Sequence, residues 1–135
     1  MRRYAQENAL PLDELLAPDR HPAETIPALL LAAAEQYGRD SVLRGCMITE
    51  GLRADDPAAR RMAENLADGG LQAIRAYFDR VQPQRTQALA DYVVVTLRGL
   101  SASACNGMAS QRLLDAARTA GRFIARELEA SDEQQ

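Results

Sequence analysis

The stretch DYVVVTLRGL, Asp91 to Leu100, can be read in two ways. Three consecutive valines and a threonine favour a strand by propensity alone. Read as a strand, they would make this a mixed α/β chain. Their context argues otherwise. No turn signals bound the run, and no second strand-like run exists to pair with it. Leu89, Val93, Leu97, Leu100 and Ala104 recur three or four apart, the spacing of one helix face. The segment from about Pro83 to Cys105 is therefore predicted to be one long helix, and the fold class all-α.

Working outward, CNGMAS (Cys105 to Ser110) reads as a turn around Asn106-Gly107. Ser110 is a good cap for a final helix ending near Glu129, and ASDEQQ reads as a frayed polar tail. That helix carries Leu113, Leu114, Ala117, Ala120, Gly121, Ile124 and Leu128 in a broad stripe. Two long helices joined by a short turn form an antiparallel hairpin. Both show apolar or small residues on more than one face. Val94, Arg98, Ser101 and Cys105 flank the main stripe of the first; Val95, Gly99 and Ala102 form a further row; Phe123 lies beside Ile124 on the second. One face serves the domain's own core, and a second calls for another partner. A two-fold dimer meets that need, with two hairpins making a four-helix bundle. Its expected interface is Val94, Arg98, Ser101, Leu113, Ala117, Ala120, Gly121 and Ile124. The competing arrangement is a monomer in which all these faces are core.

Upstream, Arg2 to Leu16 places Tyr4, Leu12, Leu15 and Leu16 on a loose common face interrupted by Pro11. APDRHP breaks the chain. Pro22 suits the first turn of a helix whose apolar set is Ile26, Leu29, Leu30, Ala33, Ala34 and Tyr37. Pro27 is expected to bend or restart it, and Gly38 to end it. A short apolar helix, about Val42 to Leu52, is expected next. ADDP then caps and starts a helix running to about Arg80, with Met62, Leu66, Leu71, Ile74, Phe78 and Val81 as apolar positions. Gly69-Gly70 inside it marks a kink or a close helix contact. The reading is a bundle of about six antiparallel helices in one domain, residues 1–135.

The totals limit the functions available. Net charge is −3, and all 16 basic residues are arginine. A free-standing nucleic-acid binder would carry a basic excess. No apolar run approaches the roughly 20 residues of a membrane span, and the opening residues do not form a signal peptide. Cys46 and Cys105 have no metal or redox spacing and are expected to be reduced in a cytoplasmic protein. His21, the one histidine, sits beside Pro22 in a loop. No zinc cluster, GxSxG, phosphate loop or dinucleotide fingerprint occurs. The expectation is a protein that is not an enzyme and needs no cofactor or metal.

Gly45-Cys46-Met47-Ile48, Asp55-Asp56-Pro57, Gly99-Leu100 and the stretch Asn106 to Leu128 occur in an order that resembles one family. It is the C-terminal regulatory domain of the tetracycline-repressor (TetR) family of bacterial transcription regulators. Its members carry GC before apolar residues at the start of the sixth helix and an acidic-proline start to the seventh. A GL falls late in the eighth, and an amphipathic ninth follows a turn. RRYAQENALPLDELLAP, Arg2 to Pro18, looks like the family's fourth helix.

The resemblance implies a homodimer whose subunits each hold a small hydrophobic effector. The fourth helix would relay binding to DNA-binding heads. That helix-turn-helix head is expected to be missing from these residues, so the chain itself is not expected to bind DNA or membrane. Helical phase and family position together suggest a pocket lined by Leu30, Ala34, Tyr37, Cys46, Met47, Met62, Leu66, Tyr92, Val93, Thr96 and Leu100. Tyr37, Tyr92 and Thr96 would be its hydrogen-bonding members. Arg44 or Glu50 could meet a charged ligand group, and Cys46 could sense oxidation near a helix N-terminus. The alternative function is a helical dimerisation module with no ligand.

Overall fold

A computed structural model describes residues 10–17, 19–39 and 55–133. Among the described residues there are five α-helices and no strand. They are α1 (Leu12–Leu15), α2 (Pro22–Gly38), α3 (Pro57–Val81), α4 (Thr86–Cys105) and α5 (Ser110–Glu133). DYVVVTLRGL is helical throughout. The expected Val42–Leu52 helix and the first residues of the opening helix lie outside the described residues.

Local chemistry sets the helix starts. His21 caps α2: its Nδ1 accepts the Ala23 N–H at 3.0 Å, and the Thr25 hydroxyl donates to the His21 carbonyl at 3.2 Å. Pro22 follows in the first turn, where a missing N–H is harmless. Asp56 repeats the device for α3, accepting the Ala58 N–H at 3.1 Å ahead of Pro57. Pro27 does not restart α2, which continues unbroken to Gly38. The final helix also runs past its expected end, to Glu133.

The central helix is α2. Its Ile26, Leu29, Leu30, Ala33, Ala34 and Tyr37 are all buried. It packs most extensively on α5, and less on α4. The expected hairpin of the last two helices exists, but α4 is only a secondary partner of α5. The reason is steric. Gly121 lies so close to α2 that a Cβ there would stand 3.0 Å from Pro27 Cβ and 3.3 Å from Pro27 Cα. At the other end the Ser110 hydroxyl donates to the Gly38 carbonyl at 3.0 Å. The start of α5 thus meets the end of α2, and the two run antiparallel.

The α4–α5 turn is a Schellman motif. Met108 N–H donates to the Ser103 carbonyl and Gly107 N–H to the Ala104 carbonyl, each at 3.0 Å. Gly107 has φ +94, where a side chain is strained. No other atom crowds its Cβ position, so the requirement is purely conformational. Gly107→Ala should therefore cost about 1 kcal/mol, read as a lower urea midpoint with unchanged slope.

By length and composition α4 is a described helix long and apolar enough to cross a membrane. This corrects the expectation that no segment approaches that length. Its Leu89, Ala90, Val93, Leu100, Ser101 and Ala104 are buried among the other helices, while only 33% of its most apolar window is buried within the chain.

Candidate functional site

Five of the expected lining residues meet in one core. Leu30, Ala34 and Tyr37 line the buried side of α2, and Val93 and Leu100 the buried side of α4, which packs on it. Met62 and Leu66 lie on the first half of α3, half-exposed and apart from that core. Thr96 is also half-buried, and its hydroxyl donates to the Tyr92 carbonyl at 2.7 Å, within its own helix. Tyr92 is 38% exposed at the α4–α5 seam, and its hydroxyl donates to the Ala120 carbonyl at 3.5 Å. Arg44, Cys46, Met47 and Glu50 lie outside the described residues. Cys105, at the end of α4, is exposed.

The expected pairing face is distributed differently from its reading. Leu113, Ala117, Gly121 and Ile124 are buried within the chain on the side of α5 that meets α2, and Ser101 is buried on α4. Val94 and Ala120 are half-buried against the core, and Arg98 is exposed. Ala117 and Gly121 on α5 are thus covered on the side that meets α2. Among the described residues, the large apolar groups left uncovered are Val95 at 69% exposure, Phe123 at 63% and Tyr92. Helical phase puts Val95 in a row with Gly99 and Ala102 on α4, and Phe123 with Ala116 on α5. Gly99 and Ala116 are exposed as well.

A buried hydroxyl that sequence reasoning missed is Tyr77. It follows Ile74 by three residues and precedes Phe78, so the spacing could have placed it on the core face. Its ring meets Phe78 edge-on, centroids 5.4 Å apart at 74°, and the Arg80 guanidinium sits 5.7 Å from its centroid. The hydroxyl is buried without a well-formed hydrogen bond. Thr25 is its polar neighbour, but that hydroxyl is directed to the His21 carbonyl. Burial raises the phenol's pKa, while the loose contact with Thr25 and the charge of Arg80 partly oppose the rise.

The raised pKa means the fold prefers the neutral phenol. Stability from this preference is present below the ordinary value near 10 and is lost as pH rises through it and beyond. Tyr77→Phe should be neutral or stabilising by up to about 1 kcal/mol at pH 7, because it removes a poorly paired buried group. It should also flatten the alkaline loss of stability. Urea melts from pH 7 to 11 check both outcomes.

Fold and surface together define an all-helical domain with its core organised on α2 and an apolar strip exposed on its last two helices. Such a strip suits an interaction or regulatory domain. The chain is 33% identical over 129 residues to the HTH-type transcriptional repressor BdcR of Escherichia coli (strain K12). The match takes in 96% of this chain and 66% of the repressor, so the chain spans just under two thirds of that relative's length. No family profile and no solved structure matches the chain. The similarity makes the chain a homologue of a transcriptional regulator.

Proposed function

We propose that this chain is the effector-binding and homodimerising domain of a TetR-family transcriptional repressor working in the cytoplasm. The similarity to a repressor along 96% of the chain carries the reading. That relative is a repressor of the helix-turn-helix type, and about a third of its length falls outside the match. In this reading DNA is contacted by such a head, outside these residues. The domain senses a small hydrophobic molecule and relays its presence through α1. The ordered motifs Asp55-Asp56-Pro57, Gly99-Leu100 and Asn106 to Leu128 support the family, and the all-helical fold agrees with it.

Dimerisation is assigned to the open strip: Tyr92, Val95 and Phe123, bordered by Gly99 and Ala116. By family position the effector is assigned to a pocket that Tyr37 and Leu100 approach from the core and Met62 and Leu66 from the first half of α3. Cys46 and Met47 join them by family position. A ligand-free dimerisation module is the second reading, favoured by the full burial of Leu30 and Val93.

Xenon separates the two, because it enters apolar cavities without needing a known effector. Xenon-129 NMR should show saturable binding that Met62→Trp abolishes. Absence of saturable binding in the wild type would leave the ligand-free module.

A further inference from the structure

Gly69 and Gly70 sit inside α3, where each weakens the helical equilibrium by up to about fivefold relative to alanine. Glycines in such places are usually explained by a contact that a side chain would obstruct. Among the described residues no such contact occurs. A Cβ on Gly69 would find no atom within 4 Å among the described residues, and one on Gly70 would make an ordinary 3.8 Å contact with Leu12 Cδ1. Gly121, with Pro27 at 3.0 Å, shows what a packing requirement looks like.

The two halves of α3 are also held differently. After the pair, Ile74, Tyr77 and Phe78 are buried in the main core, and Val81 packs against it. Before the pair, Ala63 is the one buried residue among those described, and it is not part of that core. Met62 and Leu66 are half-exposed, and neither packs on the main core. Among the described residues only the half after the two glycines joins the main core, and α1 touches α3 at the glycines through Leu12.

We propose that Gly69-Gly70 is a hinge, and that residues 57–68 swing on it as a unit while 71–81 stay fixed. The swing carries Met62 and Leu66 and shifts the Leu12 contact. Its use in signalling rests on the reading above, in which Met62 and Leu66 face the effector and α1 relays the change. The hinge itself does not depend on that reading.

Amide hydrogen exchange of the wild-type chain and of Gly69→Ala/Gly70→Ala, without any effector, tests it. The wild type should show a step at the glycines, with amides of 57–68 exchanging at least tenfold faster than those of 71–81. The double variant should melt at a higher temperature. It should slow exchange in 57–68 about tenfold or more, the combined effect of two such replacements, and change 71–81 far less. Uniform protection along α3 in the wild type overturns the hinge, as does a step that survives unchanged in the variant. A variant that melts lower than wild type overturns it too, because the glycines would then serve packing. An observed step together with absent xenon binding supports the hinge and removes only the ligand reading.

Discussion

Gly121→Leu is expected to cost roughly 3 kcal/mol or more, the upper end of what overpacking a core contact costs. The position has no room to give. Even a methyl group there would press on Pro27 Cβ at 3.0 Å and on Pro27 Cα at 3.3 Å. One of those atoms is backbone, and the other belongs to a ring that cannot rotate aside. Pro27 lies in α2, the helix on which α5 packs most extensively, so relief requires moving one against the other. Gly121→Ala is the graded case. It gains about 1 kcal/mol of helix propensity, which offsets part of the clash and leaves a smaller loss. Urea denaturation should show the midpoint falling in the order wild type, alanine, leucine, with the slope unchanged. An alanine variant markedly more stable than wild type would mean that the two helices are not so close.

Phe78→Ala is expected to cost about 3–5 kcal/mol. The ring is fully buried at the end of the bundle where α3 turns into α4. Its removal leaves a cavity and also deletes the edge-on contact with Tyr77, worth about 0.5–1.5 kcal/mol beyond burial. Domains typically have about 5–15 kcal/mol of net stability, so one such substitution removes a large part of it. Thermal melts should show a drop of many degrees. Phe78→Leu, which refills most of the volume, should recover much of it. A loss under 1 kcal/mol for the alanine variant would contradict the core placement.

Helix identity was legible in the sequence because it is a local property. The three-or-four spacing of Leu89, Val93, Leu97, Leu100 and Ala104 outweighed the strand propensity of three valines, and the helix formed. Pro22 and Pro57 marked their helix starts, and Asn106-Gly107 marked the turn. Partner choice was less legible, because periodicity says which side of a helix is apolar and not what covers it. Periodicity alone offers the Leu113, Ala117, Gly121 and Ile124 side of α5 to a second copy, yet α2 covers it. Val95 and Phe123 were visible as apolar, but their exposure depends on where four other helices lie. Tyr92 was grouped with the pocket by phase and stands at the α4–α5 seam. Tyr77 escaped notice because a tyrosine is as common at a surface as in a core.

The proposed pairing of two copies through the exposed Tyr92, Val95 and Phe123 strip is open to direct measurement. Sedimentation equilibrium at micromolar concentration, comparing the 14.8 kDa chain with Val95→Asp/Phe123→Asp, measures it. The wild type is expected at twice the subunit mass, and the variant at the subunit mass with its helical content kept. A wild type that stays monomeric at every concentration, or a variant that pairs as tightly as wild type, contradicts it.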